Sequence, residues 1–97
     1  MADALFHPDA QAEYEAAIAW YAARSPRAAA RFEAEVERVL SLIAGNADMF
    51  PAYDDANRYA VLRRFPFSIV YQIHSGQLYV VAVAHAGRSP GYWQGRA

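Results

Sequence analysis

The sequence predicts an α+β domain of order βααβββ, in which a helical hairpin packs on one face of an antiparallel sheet. Three observations carry this. Two proline-led stretches repeat apolar residues at steps of three and four, a single residue, Ser25, separates them, and two apolar-rich runs flank Ser75-Gly76. Residues 1–97 are expected to form one domain, of a size that buries about two thirds of its unfolded surface and folds without staples.

A short strand over about 3–7 ends at Pro8, whose locked φ and missing N–H suit the first position of a helix. Ala10, Tyr14, Ala17, Ile18 and Tyr21 then form an apolar stripe, with Asp9, Glu13 and Glu15 mainly outside it. Ser25 is a good N-cap and Pro26 the first residue of a second helix. Its stripe is Ala29, Phe32, Val36, Val39, Leu40 and Ile43, and Gly45 is a natural stop. One linking residue makes the two helices an antiparallel hairpin. Arg31 and Glu35 form an i,i+4 pair on a solvated face. Trp20, at the flank of the first stripe, either packs on the second helix or meets a partner, since aromatics are favoured in interface cores. NADMFPAYDDAN, polar and turn-rich, is a loop.

The remainder reads as strand: 58–65, broken by Pro66, then 67–74 and 77–85 around the two-residue turn Ser75-Gly76. Counting outward from the turn pairs Ile73 with Leu78, Tyr71 with Val80, Ile69 with Ala82 and Phe67 with Ala84, an apolar face that covers the helices. The other face carries Ser68, Val70, Gln72, His74, Gln77, Tyr79, Val81, Val83 and His85. Being half apolar, it is an open or partner-covered surface. Arg63 and Arg64, consecutive on a strand, point to opposite faces. One of them joins His85 on the open face, snorkels over the helices, or pairs with an N-terminal carboxylate.

The net charge of −1 hides an asymmetry: residues 1–55 carry all ten carboxylates against four arginines, and residues 56–97 carry five arginines and no acid. That split suits either an anionic partner or two helices that happen to be acidic. With no cysteine, disulfides and cysteine-based metal or redox sites are excluded. His7, His74 and His85 are scattered, and no phosphate loop or nucleophilic triad occurs, so no metal, no cofactor and no small-molecule substrate are expected. The N-terminus lacks a basic-then-apolar leader and no apolar run nears the ~18 residues that span a bilayer. A soluble, cytoplasmic chain without membrane association is expected.

FHPDAQAEYEAAIAWY, SPRAAARFEAEVERVL, VLRRFPFSIVY and VAVAHAGRSPGYWQGR, in that order and spacing, resemble the RelE/ParE superfamily, the toxins of type II toxin–antitoxin modules, known also as plasmid stabilisation proteins. The resemblance implies a RelE/ParE-like fold, a cognate antitoxin, and a target that is either DNA gyrase or messenger RNA on the ribosome.

The superfamily's ribonucleases need a group to take the 2′-hydroxyl proton, cations for the phosphate and an acid for the leaving oxygen. His85, Arg88 and Tyr92 are the types required, but Ala86-Gly87 leaves Arg88 as the one nearby cation where that branch carries several. The resemblance therefore leans to the ParE-like branch, which acts by binding gyrase. The alternatives are a ribosome-dependent mRNA endoribonuclease using His85, Arg88 and Tyr92, which leaves open whether the chain is an enzyme, and a non-toxic binding member. Candidates for target or antitoxin binding are Arg63, Arg64, Val70, Val81, Val83, Arg88 and Trp93, with an acidic, amphipathic antitoxin segment lying across the open face. Pro90, Gly91, Tyr92 and Trp93 can equally fold back over the sheet, with Arg88 bonded to backbone carbonyls or stacked on Trp93.

Overall fold

In a computed structural model, residues 3–96 are described. The order is β1 (Ala4–Phe6), α1 (Pro8–Arg24), α2 (Pro26–Asn46), a 3₁₀ turn (Ala47–Met49), β2 (Arg58–Val61), β3 (Phe67–His74) and β4 (Gln77–His85). The four strands form one sheet in the order β1-β4-β3-β2. Strands β2, β3 and β4 are antiparallel as expected, while β1 joins the free side of β4 in parallel, which makes the sheet mixed. The helical hairpin between them returns the chain across one face.

Both helix starts follow from their sequences. At α1, His7 Nδ1 accepts the Asp9 N–H at 3.0 Å; at α2, Ser25 Oγ accepts the Ala28 N–H at 3.3 Å. Ser25, extended at φ −166°, also donates its N–H to Tyr21 O, so one residue closes one helix and opens the next. Gly45 does not stop α2, which runs on to Asn46 and tightens into the 3₁₀ turn.

The helix-side core centres on Phe32, fully buried, with the rings of Tyr14, Tyr21, Phe65 and Phe67 at centroid distances of 5.2–5.9 Å. Tyr71 is buried but satisfied, its hydroxyl donating to Ala47 O at 2.7 Å. Ser75 and Gly76 turn with φ of 50° and 79°, the left-handed pair that a two-residue hairpin requires.

Two expectations fail here. The expected register holds from the turn only to Tyr71–Val80. Val70 then pairs with Ala82, Ile69 with Val83 and Phe67 with His85, because Val81 is an extra residue in a β-bulge. Val81 and Ala82 consequently share the face away from the helices, while Val83 and His85 swing to the helix side. Strand β2 also stops at Val61, so Arg63 and Arg64 lie in the connection to β3 and not on opposite faces of a strand.

Candidate functional site

The bulge creates the site by turning the end of β4 toward α1. His85 sets its ring edge-on to Phe67 at 5.0 Å, and a cleft of about 380 Å³ opens beside it. Ala16, Ala17, Trp20 and Tyr21 of α1 form one wall; Phe67, Val83, His85, Arg88 and Tyr92 form the other. His85, Arg88 and Tyr92, grouped from sequence as a candidate catalytic set, thus line one cleft. Trp20 packs not into the helical hairpin but at its mouth, 54% exposed, with the Arg24 guanidinium 3.3 Å from its ring centroid.

The cleft's carboxylate is Glu13, only 15% exposed, which the helical stripe leaves outside the core. Its role follows from hydrogen-bond accounting on β4. Strand β1 covers β4 only as far as Val80, so the backbone groups of Val81 and Val83 beyond it need other partners. Glu13 Oε1 accepts the Val83 N–H at 3.0 Å, and Arg96 donates to Val81 O at 3.1 Å. Glu13 also accepts the Tyr92 hydroxyl at 2.7 Å and both terminal nitrogens of Arg96 at 3.1 Å. One carboxylate therefore clips the C-terminal segment to helix and sheet. Glu13 and Arg96 carry no signal in the hydrophobic pattern; only the unpaired end of β4 calls for them.

Clipped in this way, the segment closes the face expected to be open. Trp93 is buried on Val70, Val81 and Ala82, with the Tyr53 ring at 4.7 Å on its outer side. Gly91 permits this path: it sits at φ 73°, and a Cβ there would come within 2.7 Å of Gln94 Oε1. Val70, Val81 and Trp93 are buried under the chain's own tail, and Val83 lies in the helix-side core, so none of the four is a free binding surface. Arg63 and Arg64 border a different groove, on α2. His74 is exposed at the hairpin tip, beside Gln72 and Tyr79.

The chemistry left to His85, Arg88 and Tyr92 is constrained. His85 Nδ1 accepts the Gly87 N–H at 2.8 Å, and its carbonyl accepts the Arg88 N–H, so the ring holds the turn that follows β4. Arg88 stacks on Tyr92 at 3.9 Å, not on Trp93. Burial first, then the hydrogen bond to Glu13 and its charge, push the Tyr92 phenol well above its ordinary value. Among the described residues, no group of three His, Cys, Asp or Glu side chains is placed to hold a metal ion, and no helix is long and apolar enough to cross a membrane.

Burial likewise raises Tyr14 and Tyr71 above the ordinary 10.0. A folded-state pKa above the unfolded one keeps the proton on the folded chain where the unfolded chain has lost it. The stability these tyrosines lend is therefore complete below pH about 10 and falls as pH rises beyond it. Melting midpoints should drop above that pH, less steeply in Tyr92→Phe, which itself loses about 1–2 kcal/mol with its bond to Glu13. Identical alkaline slopes in the two proteins would remove Tyr92 from this account.

Comparison with known proteins agrees with this architecture. The solved structure described as "Chromosomal ParDE TA system from P. aeruginosa" is similar over 88% of this chain and 96% of its own, with a TM-score of 0.58 at 14% identity, a likeness of fold. No curated protein matches the sequence. The family described as "ParE toxin of type II toxin-antitoxin system, parDE" matches residues 4–90, ending just before Tyr92, Trp93 and Arg96. With nearly the whole chain inside that match, the protein belongs to the ParE toxin family of type II toxin–antitoxin systems.

Proposed function

We propose that this toxin is neutralised by a cognate antitoxin and acts by binding DNA gyrase, not by cutting RNA. The observation that supports this most is the lining of the α1 cleft, which holds a single guanidinium, Arg88, stacked on Tyr92, and a carboxylate, Glu13, that Arg96 already pairs. A phosphoryl transition state spreads negative charge that several preorganised cations must meet, and Arg88 is the one cation lining this cleft, Arg96 being committed to Glu13. Tyr92 is a poor proton donor with its hydroxyl bound to Glu13, and His85 has one nitrogen engaged by the Gly87 N–H. Recognition, by contrast, draws on exposed aromatic and arginine groups beside an apolar cleft, and Trp20, Arg24 and Arg88 supply them.

Growth arrest on induction of variants tests this reading. His85→Gln, which keeps size and hydrogen bonding but loses titration, should remain toxic with transcripts intact. Arg88→Ala or Trp20→Ala should weaken toxicity while circular dichroism stays native, since neither side chain is buried. Loss of toxicity in a folded His85→Gln protein, with codon-register cleavage of transcripts by the parent, would instead establish the ribosome-dependent endoribonuclease.

A further inference from the structure

Arg88 is the cation that the α1 cleft offers a target, and its backbone is tied to His85 O, but among the described residues a single contact holds its guanidinium. The side chain is exposed and has no hydrogen bond or ion pair there. It rests on the Tyr92 ring, 3.9 Å from the centroid. A free arginine side chain spreads over many rotamers, and ordering it on binding opposes association. Stacked, it has given up much of that freedom beforehand and keeps its N–H donors for a ligand.

Tyr92 serves as that surface only if its own ring is held. The backbone does not hold it, because residues 86–96 run as turns outside any strand or helix. Side chains do. The Tyr92 hydroxyl donates to Glu13 Oε2 at 2.7 Å, and the Arg96 guanidinium lies 5.2 Å from the ring centroid. Glu13 is fixed in turn by the Val83 N–H at 3.0 Å and by Arg96 at 3.1 Å on each oxygen, while Arg96 is tied to Val81 O at 3.1 Å. Two backbone groups of β4 thus fix a carboxylate and a guanidinium, these fix a ring, and the ring fixes Arg88. Tyr92 and Arg96 lie beyond residues 4–90, the span matched to the ParE family, so that likeness does not account for the series of contacts.

We propose that Glu13 and Arg96 are positioning residues for target recognition, acting on Arg88 through Tyr92. Neither has to touch the target, since the Glu13 oxygens and the Arg96 terminal nitrogens are spent on each other, on Tyr92 and on β4. The inference rests on the reading of the α1 cleft as a recognition surface and deepens it: the clip that holds the tail also sets the arginine that the cleft presents. A clip of purely structural purpose would stabilise the tail and leave Arg88 indifferent to it.

Two measurements on the whole chain separate these cases. In the isotopically labelled protein, nitrogen relaxation of the Arg88 Nε–H, assigned by its loss in Arg88→Lys, should report a restricted side chain in the parent and a freely moving one in Tyr92→Phe and Arg96→Gln, each of which keeps a side chain of similar shape but loses an anchor. The second is a double-mutant cycle on supercoiling inhibition by purified DNA gyrase. Tyr92→Phe should raise the half-inhibitory concentration about fivefold, as releasing one ordered side chain would require. In an Arg88→Ala background the same change should stay within about twofold, because no guanidinium is left to position. Ile43→Val, a fully buried core change away from the cleft that lowers melting, should inhibit like the parent. Equal losses of inhibition in both backgrounds would overturn the proposal, and so would an Arg88 Nε–H as restricted in the folded variants as in the parent. A parent that leaves gyrase uninhibited would count against the gyrase reading alone, and the relaxation measurement, which involves no target, would still accept or reject the positioning of Arg88.

Discussion

Ile69→Asp is expected to leave a chain that does not fold. Ile69 is fully buried at the middle of β3, between Ala60 of β2 and Val83 of β4, in the cluster that the helices cover. Removing its side chain forfeits about 2–3 kcal/mol of apolar burial, and a carboxylate in its place finds no donor. Protonation avoids the full charging penalty but still leaves a buried polar group costing several kcal/mol. The sum rivals the roughly 5–15 kcal/mol by which a domain of this kind is stable. Val61→Asp, on the neighbouring strand but 65% exposed, should fold and melt cooperatively. Far-UV circular dichroism with thermal melting separates the two, and a soluble, cooperatively melting Ile69→Asp protein would refute the placement of β3 against the helices.

Glu13→Ala is the second large effect, and it acts through the tail. The substitution strands the Tyr92 hydroxyl and the Val83 N–H and leaves the Arg96 guanidinium with only Val81 O and the exposed Asp9 carboxylate at 3.8 Å, the Glu13 and Arg96 side chains each being only 15% exposed. Removing one member of a mostly buried ion pair costs about 3 kcal/mol, chiefly because the other charge is left with weaker partners, here the exposed Asp9. Glu13→Gln should cost less, because an amide oxygen still accepts from Val83 or Tyr92. Glu15→Ala, which loses only an exposed bond to Gln11, should stay within about 0.5 kcal/mol of the parent. If the clip holds the tail, Glu13→Ala will also loosen Trp93 from Val70, Val81 and Ala82, red-shifting its emission and exposing residues after His85 to protease. An unshifted emission with unchanged stability would show that the tail is held by Trp93 alone.

The parts of the fold legible in the sequence are those where local chemistry and pattern agree. Pro8, Ser25 and Pro26 mark the helix starts by capping, and the stripe through Phe32 and Ile43 is the core face observed. Ser75-Gly76 fixes its turn because two adjacent residues must take positive φ. The bulge was hidden for a physical reason. Val80 to Ala84 is apolar throughout, so hydrophobic alternation cannot report a one-residue slip, and the slip inverts the faces that alternation assigns to Val83 and His85. Glu13 was hidden because a stripe records what is greasy, while its task is to satisfy backbone groups on a strand seventy residues away. The crowding of His85, Arg88 and Tyr92 is suggested by their spacing within eight residues, but such a stretch can extend more than about 20 Å, and only the tail's clip to Glu13 folds it into one cleft. That Arg88 stacks on Tyr92, that Tyr92 binds Glu13, and that the β2–β3 connection sets Arg63 and Arg64 beside α2 required the fold.

The proposed mode of action rests on the α1 cleft serving as a surface for recognition and not for proton transfer. Supercoiling of relaxed plasmid by purified DNA gyrase, in the presence of this protein or its His85→Gln variant, tests that claim most directly. The account predicts that both inhibit supercoiling at similar concentrations, that Arg88→Ala and Trp20→Ala inhibit about tenfold less well, as losing one interface anchor would require, and that ribosome-bound transcripts stay whole throughout. Unimpaired supercoiling at every concentration of folded parent protein, with His85-dependent cleavage of ribosome-bound mRNA, would contradict it.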